Sequence, residues 1–300
     1  MRDASALDDE EASVGAGQAG VASVICDTCP RHCRLAPGQL GFCRARCNVD
    51  GHVACKNYGR VTSLALDPVE KKPLARWHPG SYVVSVGSYG CNLRCPFCQN
   101  WEIAQAGEAD VPWRQMTPRE LVDLTLEARK HDTRVAGIAY TYNEPLVGWE
   151  FVRDCSRFGH EAGLANVLVS NGCACESVIR ELAPLIDAAN IDLKGFTEEA
   201  YRTCGGDLAT VRRTIELLAA APGCHLEVTT LVVPGLSDSP EDMAREAKWL
   251  ASLDGDVTLH VTRFFPRWHM RDREPTPVET VYGLADVARR SLAHVFVGNC

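Results

Sequence analysis

From Tyr82 onward, short runs of β-branched and apolar residues alternate with longer stretches in which apolar positions recur every three or four residues. The first pattern suits strands buried on both faces and the second suits helices packed by one face, so the alternation predicts repeated βα units around a parallel sheet. Strands are expected at Tyr82–Gly87 (YVVSVG), Val135–Tyr140, Asn166–Ser170, Asn190–Leu193, Glu227–Val233 and Thr258–Arg263. Helices are expected at Val147–Ala162, Glu176–Asp187, Leu208–Ala220 and Pro240–Ala251. One more helix is announced by Thr117-Pro-Arg-Glu120, which supplies a cap, a proline at the first helical position and a capping-box glutamate before Leu121, Leu124 and Ala128 recur on one face. In such folds reactive groups collect at the carboxyl ends of the strands.

Before Tyr82 the pattern breaks down. Residues 1–20 hold too little apolar content to order themselves and read as a solvated, disordered tail. Residues 21–80 read as a cysteine-rich module and connector, and residues 81–300 as the α/β unit. Cys26, Cys29, Cys33, Cys43, Cys47 and Cys55 fall among glycines and basic residues with no sustained period. The chain of 300 residues, 46% hydrophobic, is long enough to bury one large core. It has no apolar run long enough to span a bilayer, and its acidic N-terminus lacks the basic-then-apolar order of a secretory leader, so a cytoplasmic protein with no membrane partner is expected. Fifteen cysteines in a reducing compartment favour metal ligation or catalysis over a disulfide framework. A formal net charge of −8 disfavours nucleic acid as a partner.

The chemistry concentrates in Gly87–Trp101, GSYGCNLRCPFCQNW. Cys91, Cys95 and Cys98 follow the first strand on one loop, spaced C-x3-C-x2-C. Structural zinc takes a closed set of four ligands, so three thiolates on one loop suit an iron–sulfur cluster whose fourth metal stays open. The plainer reading is three buried cysteines packed as small hydrophobes.

This loop, with Phe97 as the aromatic before the last cysteine, resembles the cluster-binding loop of radical S-adenosylmethionine (SAM) enzymes. The resemblance implies a partial (β/α)6-type barrel, related to the TIM barrel, with a small N-terminal metal-binding module. It implies a [4Fe-4S] cluster on Cys91, Cys95 and Cys98, with SAM chelating the fourth iron, and reductive cleavage of SAM to a 5′-deoxyadenosyl radical that abstracts hydrogen from a protein glycine or a small organic substrate. By the same resemblance, AYTYNEP (Ala139–Pro145) supplies Asn143 and Glu144 toward the SAM ammonium, VSNG supplies Ser170 and Asn171 toward the ribose, and NIDLK supplies Asp192 and Lys194 near the SAM carboxylate. Arg263, on the last predicted strand, is taken as a carboxylate partner in preference to His260. Val169 stands where the glycyl-radical activating enzymes carry a cation-holding aspartate, so a cation site is not expected. DPVEKKP (Asp67–Pro73), GCNLRCPFCQNWEIAQ and TRFFP resemble the AmmeMemoRadiSam system branch, which is similar to the pyruvate formate-lyase activating enzyme.

Cys26, Cys29, Cys33 and Cys43 form a second candidate four-thiolate site, for zinc or a second iron–sulfur cluster, with Cys47 and Cys55 as spare ligands; the alternative is unligated thiols. No residue of this segment resembles a substrate ligand, so a part in holding the fold is expected. Six Lys and Arg (Arg31, Arg34, Arg44, Arg46, Lys56, Arg60) against Asp27 and Asp50 make a local charge of +4, which would steer an acidic electron donor such as flavodoxin or ferredoxin. Cys173 and Cys175 start a helix, where filler outweighs reactivity, and Lys71 and Lys72 read as surface or pocket rim. The competing function is a non-catalytic iron–sulfur electron carrier or scaffold, which needs no open iron and no series of strand-end motifs.

Overall fold

A computed structural model describes residues 22–300, so the tail expected over residues 1–20 lies outside the described residues. Eight strands form one open sheet: β1 (Ser63–Pro68), β2 (Tyr82–Gly87), β3 (Val135–Tyr140), β4 (Ala165–Ser170), β5 (Ala188–Leu193), β6 (His225–Val232), β7 (Thr258–Arg263) and β8 (His294–Gly298). They lie side by side in chain order, β2 to β8 parallel and β1 antiparallel to β2. The first and last strands do not pair, which makes the sheet a partial barrel. All six expected strands are present, and β1 and β8 extend the sheet at its two edges.

The helices α1 (Pro118–His131), α2 (Trp149–Glu161), α3 (Glu176–Leu182), α4 (Glu198–Cys204), α5 (Leu208–Ala219), α6 (Pro240–Leu253) and α7 (Val278–Ala288) follow the strands as crossovers. The expected helix to Asp187 stops at Leu182 and tightens to a short 3-10 turn at Ala183–Leu185, where Pro184 lacks the N–H that an α-helix needs. Among the described residues no helix is long and apolar enough to cross a membrane.

Alternate residues of each strand serve different neighbours. Val84, Ile138, Leu168 and Ala189 join the large core beneath the helices, while Val83, Ala139, Val167 and Ala188 pack against Val69, Leu74 and Trp77. The segment carrying those three residues thus closes one part of the second face. Buried Glu227 holds it there by accepting from the backbone N–H of Ala75 (3.0 Å) and Arg76 (2.9 Å). Burial opposes the Glu227 charge, but His225, His260 and the two amides outweigh it and pull the carboxyl down to about 2. His260 is therefore part of this anchor, 2.5 Å from Glu227, as Nε2 to Oε2. Asn190 completes it, donating through Nδ2 to the Pro73 carbonyl at 2.8 Å. The rest of that face is left open at the carboxyl ends of the strands.

The cysteine-rich residues are not patternless. Val24–Ile25 pairs with Arg34–Leu35 and Arg46–Val49 with His52–Cys55, both antiparallel. These ribbons are too short for a period of two to show in the sequence.

Candidate active site

A cavity of about 280 Å³ opens at the carboxyl ends of the parallel strands. Cys91, Cys95, Phe97 and Cys98 line it from the loop after β2, Asn143 and Glu144 from beyond β3, Ser170 and Asn171 from β4 and its end, and Asp192 and Lys194 from β5 and its end. Four separate motifs of the sequence thus meet on one volume, because parallel strands in chain order deliver their carboxyl ends side by side. Val169 and Leu231 add apolar wall, Thr229 and Thr262 add hydroxyls, and Tyr142 and Asn299 also face the cavity. The last four were missed by sequence reasoning, since a threonine on a strand or an asparagine near a chain end carries no spacing signal.

The loop that carries the thiols is fixed from several sides. Asn143 accepts from Ser88 N–H through Oδ1 (2.9 Å) and donates through Nδ2 to the carbonyls of Tyr89 (3.1 Å) and Gly90 (3.0 Å). Its amide thus braces the turn before Cys91, while the residue lines the cavity as expected of a candidate site residue. Asn171 donates through Nδ2 to Cys91 Sγ (3.6 Å) and to Asn92 Oδ1 (3.0 Å). Asn171, expected from the sequence at the ribose, thus makes a direct hydrogen bond to one of the three loop thiols. Burial pushes the Cys91 thiol up, and burial with its neighbours pushes Cys98 up to about 11, so a metal must displace the thiol protons to bind.

Glu144 is 2% exposed and accepts from Ser170 Oγ (2.7 Å), Leu146 N–H (2.9 Å) and Asn171 N–H (2.8 Å). Burial pushes its carboxyl up to about 7 against these three donors. It ties the end of β3 to the end of β4 and lines the cavity, with two donors on Oε1 and one on Oε2. Lys194 donates to Asp192 Oδ2 at 2.9 Å. Burial works against its charge, yet Asp192 and Cys95 outweigh burial and hold the ammonium protonated. The pair presents a cation and a carboxylate two residues apart on one wall, suited to a zwitterionic ligand.

Arg263 is not brought to the cavity with the other candidates. Its Nε donates to the Thr276 carbonyl (2.7 Å), its guanidinium lies over Phe265, and it is not among the cavity-lining residues. As the last residue of β7 it belongs to the side of the strand opposite the cavity-lining Thr262. Lys72 is buried rather than at the surface, 2.8 Å from Asp67, which also accepts from Tyr142 Oη (2.6 Å) and from Lys71 Nζ (3.4 Å). The basic segment is largely answered by ion pairs from distant sequence: Arg44 with Asp110, Arg46 with Glu150, and Lys56 and Arg60 with Glu108. Cys204, which showed no pattern, is a buried electrostatic neighbour of Cys95.

The donor set fits the group that the loop implies, with three free thiols on one wall of a cavity whose other walls carry a carboxylate, an ammonium and hydroxyls. The fold and this site define a radical SAM protein. The chain belongs to the Radical SAM superfamily, whose profile matches residues 85–248, more than half of its length, and that family implies a [4Fe-4S] cluster and SAM. It is 38% identical to the uncharacterized protein MJ0808 of Methanocaldococcus jannaschii over 278 residues, 92% of this chain and 81% of that one. It is 26% identical to the pyruvate formate-lyase 1-activating enzyme of Escherichia coli over 161 residues, 52% of this chain and 63% of that enzyme's length. Among solved structures, Streptococcus suis SuiB bound to S-adenosylmethionine aligns with a TM-score of 0.54 at 12% identity, covering 73% of this chain and 52% of that one. A radical SAM methyltransferase from Sphaerobacter thermophilus aligns at 0.52 and 18% identity, covering 73% and 66%. These two share the fold.

Proposed function

We propose that this chain cleaves SAM reductively and uses the resulting radical to abstract hydrogen from a protein glycine or a small organic substrate, as a relative of the glycyl-radical activating enzymes. The observation that carries the reading is the meeting of Cys91, Cys95 and Cys98 with Glu144, Asp192 and Lys194 around one cavity. When bound, a [4Fe-4S] cluster supplies one electron to the sulfonium of SAM, giving methionine and a 5′-deoxyadenosyl radical. The chain's own residues hold and orient. Asn143 fixes the turn before Cys91, Asn171 donates to the Cys91 sulfur, and Asp192 with Lys194 offers opposite charges to the amino-acid end of SAM. Phe97, Val169 and Leu231 exclude water from the walls. A low-potential one-electron donor such as flavodoxin or ferredoxin is the partner that the reaction requires.

An electron carrier has no use for a cavity of this size at the open side of its cluster, which favours the enzyme. The test is anaerobic reconstitution with iron and sulfide, followed by an assay for 5′-deoxyadenosine. Formation that depends on both reductant and SAM, and that is lost in Cys95→Ala, is expected. A reconstituted protein that binds the cluster and makes no 5′-deoxyadenosine overturns the reading.

A further inference from the structure

The N-terminal cysteines lie directly against the loop that carries the radical-cluster thiols. Cys26, Cys29 and Cys33 sit on the turn between Val24–Ile25 and Arg34–Leu35, closed by Cys26 N–H donating to the Cys33 carbonyl at 3.0 Å. Cys33 Sγ folds toward the next turn, 3.8 Å from where a Cβ on Gly41 would stand, and that turn carries Cys43. Cys26, Cys29 and Cys43 are buried free thiols. Cys29 has Cys26 and Cys33 as electrostatic neighbours, and Cys43 has Cys29. Four thiols converge where the ribbons are too small to need so many as core.

The contact with the radical loop is tight. Arg31 donates through Nε to the Asn92 carbonyl (3.0 Å) and through Nη2 to the Gly205 carbonyl. A Cβ on Gly90 would stand 2.4 Å from the Cys43 carbonyl oxygen, so only glycine at the residue before Cys91 permits this approach. Asn92 is held from the other side: its Nδ2 donates to the Cys173 carbonyl at 2.5 Å, and its Oδ1 accepts from Asn171, which also donates to Cys91 Sγ.

We propose that Cys26, Cys29, Cys33 and Cys43 ligate a second iron–sulfur cluster in electronic contact with the radical cluster across the close approach of Cys43 to Gly90, the residue before Cys91. Zinc at about 2.3 Å from each sulfur would draw four thiolates to within about 3.8 Å of one another. The set lies against the loop of Cys91, Cys95 and Cys98, where an electron carrier has a use and a closed zinc site has none. Thiolates on separate corners of a cluster stand farther apart. With both groups bound, the N-terminal cluster would give one electron to the radical cluster, the first returning to its oxidised state and the radical cluster gaining one negative charge. A low-potential one-electron protein donor then refills the first.

The metal site stands independently of the radical chemistry, while the electron route rests on the assignment of Cys91, Cys95 and Cys98. The full-length Cys91→Ala/Cys95→Ala/Cys98→Ala variant, reconstituted anaerobically, should keep about four irons and four sulfides per chain. Zinc in their place, or no metal in a variant with unchanged circular dichroism, overturns the site. The reciprocal Cys29→Ser/Cys33→Ser variant should keep about four irons whose electron paramagnetic resonance signal changes when SAM is added. If the triple variant keeps its iron and the reciprocal variant ignores SAM, the radical reading fails and the second site stands. In the reduced wild type the two signals should broaden each other and relax fast, whereas in either variant the remaining signal should be narrow and slow. Two independent signals in the wild type overturn the electronic contact.

Discussion

Glu144 and Glu246 are both buried carboxyls pushed upward, and they differ in what surrounds them. Glu144 receives three hydrogen bonds and faces the cavity, whereas Glu246 on α6 is 1% exposed with Thr230 Oγ1 donating to it at 2.5 Å and Asp242 as its charged neighbour. Burial raises Glu246 to about 8 from an unfolded value of 4.5, so the folded chain holds a proton there that the unfolded chain has released. Stability from this group is full below pH 4.5 and is lost as pH rises toward 8, with a slope of at most about 1.4 kcal/mol per pH unit. Glu246→Gln should flatten that part of the curve of melting temperature against pH. An unchanged slope in the variant would show that Glu246 is ionised in the fold. For Glu144→Gln the iron content should persist and SAM affinity should fall roughly ten- to a hundred-fold, the value of a charge-assisted pair, as read by equilibrium binding. Equal affinity would leave Glu144 as a tie between β3 and β4 alone.

At the scale of elements, α1 was legible because its start is written locally. Thr117 Oγ1 accepts from Glu120 N–H at 3.3 Å while Glu120 returns a bond to Thr117 N–H at 2.6 Å, and Pro118 takes the first helical position. Thr117→Ala should cost about 1 kcal/mol in urea unfolding, with no change in metal content. The edge strands β1 and β8 were not legible, since Ser63–Pro68 runs into a proline and His294–Gly298 is only five residues long. Their pairing is decided by β2 and β7, which lie beyond any local window. The candidate site divides in the same way: Cys91, Cys95 and Cys98 declare themselves by spacing, while the hydrogen bonds of Asn143 to the loop and of Arg263 to Thr276 depend on which side of a strand end each residue leaves. The meeting of strand ends also makes Gly87 necessary. A Cβ there would stand 2.9 Å from Tyr142 Cβ and Cδ2, with Tyr142 itself held at a φ of 71°. Gly87→Ala should destabilise by about 1–3 kcal/mol, the usual cost of overpacking, and shift the Tyr142 fluorescence and the hydrogen bond to Asp67. A neutral substitution would mean that Tyr142 moves freely aside.

For the whole molecule, the question is how a cysteine-rich segment with almost no regular structure is held against a large sheet. Arg46 supplies much of the answer: its side chain is 2% exposed and meets Glu150, near the start of α2, with both guanidinium nitrogens, Nη2 to Oε2 at 2.8 Å. Removing one member of a buried ion pair leaves the other uncompensated, at about 3–5 kcal/mol, and the partial exposure of Glu150 places this case near the lower end. Arg46→Met should therefore cost about 3 kcal/mol. Where that cost falls depends on how independently the segment folds. Tyr58 Oη donates to Asp154 on α2 at 2.7 Å and Arg31 holds the Asn92 carbonyl, so contacts on both sides of Arg46 fasten the segment to the sheet unit. If the segment opens as its own unit, hydrogen exchange in the variant should quicken at Arg46–Val49 and His52–Cys55 while β3 to β6 keep their protection. The double variant Arg46→Met/Glu150→Leu should recover most of the lost protection, because no charge is then left without its partner. Uniform loss of protection across the sheet would show instead that the cysteine-rich segment and the sheet unfold as one.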